Sequence, residues 1–145
     1  MSMEENKALV RRFYEEVFNN KNMAGIDAFV DPNGIDHALP PGMPGGIEGS
    51  KQFIGMYLAA FPDLHFTVED QIAEADKVTT RWTARGTHQG ELMGIPPTSK
   101  HVTVTGIDIN RFEDGKSVEH WLNMDNLGML QQLGVGSDDR IGKTS

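Results

Sequence analysis

The groups in this chain that could do chemistry are carboxylates, imidazoles, amides and one guanidinium spaced along what read as β-strands. The segment His120-Trp-Leu-Asn-Met-Asp125 carries His120, Trp121, Asn123 and Asp125, and Gly106-Ile-Asp-Ile-Asn110 carries Asp108. A carboxylate held near hydrogen-bond donors can take up and return a proton, which is general acid–base catalysis. Other chemistries lack their residues. There is no cysteine, so thiolate nucleophiles, disulfides and cysteine-bound metals are excluded. The histidines at 37, 65, 88, 101 and 120 have no metal-binding spacing, and no GxGxxG, Walker, GxSxG or HExxH motif is present. No metal and no cofactor is expected.

Each candidate also has a plain structural reading. Asp125 precedes a helical stretch and could be its N-cap. Asp108 interrupts a strand, where it faces solvent, pairs with Arg81 or Arg111, or faces a pocket. His37 lies in an extended stretch before a Pro/Gly loop and reads as a surface residue, and His88 as a loop contact at a strand end. Arg81 and its neighbour Trp82 cannot share a face, and Trp82 reads as core.

These residues need elements to position them. Leu9, Val10, Phe13, Tyr14, Val17 and Phe18 recur at helical spacing, which predicts an amphipathic helix over 4–20. A short second helix is expected over 23–30, ended by Asp31-Pro32-Asn33-Gly34, then a brief strand over 35–38. Ser50 is expected to cap a third helix carrying Phe53, Ile54, Tyr57, Leu58 and Phe61, stopped at Pro62-Asp63. From there the period becomes two. Strands are expected over 64–74 and 77–88, turning at Ala75-Asp76, and over 102–113 and 116–124, turning at Asp114-Gly115. The stretch 89–101, with Gly90, Gly94, Pro96 and Pro97, reads as an ordered loop or lid. A last helix is expected over 126–133.

Strand parity sends Trp121, Asn123 and Asp125 to one face and His120, Leu122 and Met124 to the other. On the neighbouring strand it separates Asp108 and Asn110 from Ile107, Ile109 and Arg111, and the apolar set reads as the core face. Helices followed by a curved antiparallel sheet make an α+β fold with helices on one face. At 145 residues one domain is expected over 1–136, with a polar disordered tail over 137–145. The formal charge of -8 disfavours nucleic acid and anionic lipid. With neither a leader nor a membrane span legible, the expected location is cytoplasmic.

Three stretches together carry a resemblance: Arg81 to Thr98 (RWTARGTHQGELMGIPPT), Val104 to Trp121 (VTGIDINRFEDGKSVEHW) and Leu127 to Gly134 (LGMLQQLG). They look like the SnoaL-like polyketide cyclase, or ester cyclase, family. The resemblance implies the cone fold shared with nuclear transport factor 2, ketosteroid isomerase and scytalone dehydratase, a curved sheet wrapped around helices over an apolar pocket. It also implies a homodimer through the outer sheet and ring closure by intramolecular aldol condensation on a small apolar carbonyl substrate. One acidic residue near the end of the last strands serves as acid and base in such enzymes. Asn123 and Asp125 match that region, and Asn123 stands where many relatives are acidic, a departure that puts the ring-closing activity in question.

On this basis Asp125 is expected as the acid–base group, with Asp108 in its place if the helix cap claims Asp125, and His37 as a third catalytic candidate. Desolvation in an apolar pocket raises a carboxylate's pKa and suits it to both roles. Asn123, His120, Arg81 and His88 are expected to contact substrate, with Trp121, Tyr57, Phe61 and Met93 shaping the wall. The alternatives are a hydrolase, dehydratase or isomerase on the same fold and a non-enzymatic binder of small hydrophobic ligands.

Overall fold

The serine at position 2 starts the first helix by accepting from Glu5 N–H, while the Glu5 side chain accepts from Ser2 N–H, a capping box that satisfies two otherwise free donors. In the computed structural model, which describes residues 1–135, this helix (α1, Met3–Phe13) runs directly into a π-helical segment, Tyr14–Asn19. The amphipathic stripe is the expected one, with Val10, Tyr14, Val17 and Phe18 buried. The wider turn is not visible as periodicity. Such segments insert an extra residue per turn and re-aim the side chains around them, here at Tyr14.

Helix α2 spans Ala24–Phe29 and leads without a loop into β1, Val30–Asp36. The helix ends just before the tetrapeptide Asp31-Pro32-Asn33-Gly34, as expected, but the tetrapeptide itself lies within this edge strand, which begins earlier than the strand expected over 35–38. An edge strand tolerates proline because one side needs no donor. β1 pairs in parallel with β5, with an irregular register between Val30 and Ile35, and Asp31 Oδ1 accepts from Asn33 N–H at 2.8 Å. Helix α3 covers Gly46–Ala60 with Gly45 as its N-cap. Ser50 is therefore not the cap. It sits in the second turn, 4% exposed. An earlier start is possible because Gly49 comes so close to Pro44 O that a Cβ would lie 1.8 Å from it, so the chain packs there only as glycine.

Strands β2 (His65–Glu74), β3 (Lys77–Thr87), β4 (His101–Glu113) and β5 (Lys116–Met124) follow at the expected places. Asp114 and Gly115 turn β4 into β5 with φ of 50° and 78°, the paired left-handed conformation that tight hairpins use. The sheet order is β1-β5-β4-β3-β2, antiparallel except at β1. The helices cover its inner face, where Phe13, Tyr14, Phe18, Phe29, Phe66 and Trp82 stack at ring separations of 4.3 to 5.9 Å. This α+β arrangement is the one expected.

The stretch between β3 and β4 is tied down at both ends. His88 and Lys100 bond to each other's backbone level through His88 N–H to Lys100 O, Ser99 N–H donates to His88 O, and Gln89 and Gly90 donate to Ala60 O. Leu92, within this stretch, is fully buried. Helix α4, Asn126–Gln132, follows β5. The expected disorder over 137–145 lies outside the described residues. None of the helices among those residues is long and apolar enough to cross a membrane.

Candidate functional site

The alternation on β4 and β5 is as expected, but the face assigned to β4 is reversed. Asp108 and Asn110 are 3% and 4% exposed, whereas Ile107 is 48% exposed. The inner face of β4 reads Val102, Val104, Gly106, Asp108, Asn110 and Phe112, all buried. Its polar members face the interior because the interior contains a cavity. Ile107 and Ile109 then belong to the outer face of the sheet.

That cavity measures about 130 Å³. An apolar cavity of about 150 Å³ is enough to hold a benzene ring. Its walls include Phe13, Phe18, Tyr57, Phe61, Leu122 and Met124, with Asp36, Asp108, Asn110, Ser50 and His120 as polar points. Ile35, 58% exposed, and the half-buried Phe53 also line it, so it opens to solvent between β1 and α3.

Four side chains form one hydrogen-bonded chain across this space. Tyr14 Oη donates to Asp108 Oδ2. His120 Nε2 lies 3.3 Å from the same oxygen, and His120 Nδ1 lies 2.9 Å from Asp36 Oδ1. Four elements supply them. The π segment brings Tyr14, the paired strands β4 and β5 bring Asp108 and His120, and parallel pairing sets Asp36 beside His120. Burial alone would push His120 down, but the hydrogen bonds and charges of Asp108 and Asp36 outweigh it and raise the ring to about 9. His120 is thus an imidazolium at neutral pH. Burial first, and the Asp108 charge second, hold the Tyr14 phenol well above its ordinary range, so it stays a neutral donor. Tyr57 is raised by burial as well.

Asp108 Oδ2 therefore has two partners, while Asp108 Oδ1 is buried with none. Beside the chain, Ser117 Oγ donates to Asn110 Oδ1 at 2.7 Å, closing off two more polar groups.

The other expected site residues lie elsewhere. Asp125 is exposed and caps α4, its Oδ1 accepting from Gly128 N–H at 2.8 Å. Asn123 is exposed opposite Ile107 on the outer face. Trp121 shares that face, stacked on His37 at 5.3 Å. His37 Nε2 bonds Glu119 at 2.8 Å, and Arg111 bonds the same carboxylate at 3.2 Å. Hydrogen bonds from His37 and then Arg111 hold Glu119 below its usual range. Arg81 is exposed, and Met93 is 59% exposed on the connecting loop. His88 is fully buried against Phe61, its Nδ1 accepting from Thr98 N–H at 3.2 Å, and it does not line the cavity. Of the expected residues, the cavity brings together Asp108, His120, Tyr57 and Phe61.

Tyr14 and Asp36 complete the chain and were not singled out from the sequence. The signal for Asp36 was present in parity, since His37 facing outward turns its neighbour inward. For Tyr14, its place on the buried stripe of α1 marked burial and gave no hint of a partner.

A curved, unclosed sheet packed on helices over an apolar cavity is the architecture of the nuclear-transport-factor-2-like fold. The SnoaL-like polyketide cyclase family model matches residues 8–133, and the chain belongs to that family. Nogalonic acid methyl ester cyclase of Streptomyces nogalater is 29% identical over 119 residues, covering 81% of this chain and 89% of that protein. Among solved structures, TsrD of Streptomyces laurentii superposes with a TM-score of 0.85 at 30% identity, covering 92% of this chain and 98% of its own. IdmH of Streptomyces antibioticus, a candidate polyketide cyclase, gives 0.77 at 36% identity, with 90% and 99% covered.

Proposed function

We propose that this protein is a cyclase that closes a ring by intramolecular aldol condensation on a polyketide-like carbonyl substrate, with Asp108 as the acid–base group. The observation that carries this reading is the division of labour on one carboxylate. Tyr14 and His120 fix Oδ2, and Oδ1 is left buried and unpartnered on a residue that lines the cavity. A base needs a free, oriented oxygen in a site that excludes water.

In the reaction, Oδ1 removes the proton from a carbon next to a carbonyl. The resulting enolate carbon forms a bond to a second carbonyl carbon of the same molecule. The oxygen of that second carbonyl becomes an alkoxide, which takes the proton back from Asp108 and regenerates the carboxylate. His120, held as an imidazolium between two carboxylates, keeps a positive charge beside the group that cycles. Asp125, committed to its helix cap, has no part in this reading, and Asn123 on the outer face leaves the cavity chemistry untouched.

The first half-reaction is testable without the natural substrate. In D2O, the protein should accelerate exchange of the α-protons of 2-indanone, followed by NMR. Asp108→Asn should lower that acceleration by about 10²- to 10⁴-fold while a thermal melt confirms a folded protein. Exchange at the wild-type rate in a folded Asp108→Asn variant removes Asp108 from the role.

The outer face of the sheet, with Ile72 66% exposed and Ile107 48% exposed beside Trp121, supports pairing with a second copy of the chain. Light scattering on the purified protein distinguishes a dimer from a monomer.

A further inference from the structure

Among the described residues, four buried side-chain atoms have no hydrogen-bond partner: Asn6 Oδ1, His88 Nε2, Trp82 Nε1 and Asp108 Oδ1. Only the last two belong to residues that line the cavity. One is a donor and the other an acceptor. Buried indole N–H groups ordinarily find a partner, and leaving one without costs the full loss of its hydration. Trp82 is 3% exposed, so water does not supply it.

The backbone makes the two residues diagonal neighbours on the inner face of the sheet. Trp82 on β3 lies opposite Gly106 on β4, and Asp108 is two residues further along β4 on the same inner face. Such diagonal positions are about 7–8 Å apart. The indole lies flat across Gly106, where a Cβ would come within 2.2 Å of its Cζ2 atom. Any side chain at 106 would displace the ring, so the glycine and the tryptophan form one feature that lays the indole over β4.

We propose that Trp82 is a specificity-determining residue: its indole N–H donates to the carbonyl oxygen of the substrate whose α-carbon faces Asp108 Oδ1. This rests on the reading of Asp108 as the base and adds to it a substrate class, cyclic or cyclising ketones with at least one α-hydrogen. Donor and base bracket a single keto group, one at the oxygen and one at the adjacent carbon. When the proton leaves, charge develops on that oxygen, and a donor already in place there strengthens as it does. Esters and acids lacking an enolisable carbon beside the bonded carbonyl would bind without being activated.

The test compares 2-indanone with indane, the same rings without the oxygen. In ¹H–¹⁵N spectra of the wild-type protein, the Trp82 indole N–H resonance should move downfield with 2-indanone and much less with indane. Trp82→Phe, which keeps an aromatic ring and removes the donor, should bind 2-indanone about tenfold more weakly and indane unchanged. Equal resonance shifts with the two ligands, or an unchanged preference for the ketone in Trp82→Phe, overturns the proposal. The spectrum of the wild-type protein decides the matter even if the variant does not fold. Asp108-dependent α-proton exchange that persists with either negative result leaves the acid–base reading standing and removes Trp82 alone. A Trp82-dependent ketone preference without exchange does the reverse.

Discussion

A carboxylate 3% exposed is sustained only by what surrounds it, because an ionised group taken out of water needs partners that replace its hydration. Asp108 has an imidazolium and a phenol, and the imidazolium in turn depends on Asp36. Asp36 is thus a positioning residue acting through His120. Asp36→Asn keeps the shape and one acceptor oxygen but removes a negative charge. The His120 ring should then titrate below its present value of about 9, by about one unit or more, read from its carbon-bound ring protons by NMR. A ring that titrates where it did before means that Asp108 alone sustains the charge.

At the scale of elements, β5 and α4 meet at Asp125, whose side chain is used by the helix. An N-cap is worth about 1 kcal/mol, so Asp125→Ala should lower the unfolding free energy by about that amount in urea denaturation and leave α-proton exchange intact. Loss of exchange without loss of stability would return the acid–base role to Asp125. Much of this level was legible in the sequence. The hairpin turns at Ala75-Asp76 and Asp114-Gly115, the four long strands and the parity along β4 and β5 follow from local pattern, which dihedral preference and a period of two enforce. What parity cannot give is the sign of a face. Ile107 and Ile109 look like core, and only the cavity, a property of the closed fold, makes the polar set the inner one. Only the end of β1, Ile35 and Asp36, was legible as strand, for a related reason. Its Pro-Asn-Gly run signals a break, and parallel pairing to β5, remote in sequence, overrides it. The π segment left no trace because its buried stripe also satisfies an α-helix. Asp108 and His120 were legible as candidates, and their joining through Tyr14 and Asp36 was not.

For the whole molecule, the same linkage makes folding depend on pH. The unfolded His120 titrates near 6.5 and the folded one at about 9. Below 6.5 both states are protonated and the stabilisation from the charged ring is fully present. Between 6.5 and about 9 the native state holds a proton that the unfolded chain has released, so stability falls as pH rises. Above about 9 the contribution is gone. The interval corresponds to about 3 kcal/mol at most, reduced by whatever solvent reaches a side chain 23% exposed. Urea denaturation at pH 6 and pH 9.5 should therefore show the wild-type protein losing its advantage over His120→Gln as pH rises. A constant difference between the two proteins across that range would mean that the ring titrates in the folded state where it does in the unfolded one. The imidazolium assigned to the cavity would then have to be abandoned, whatever the exchange experiments had given for Asp108.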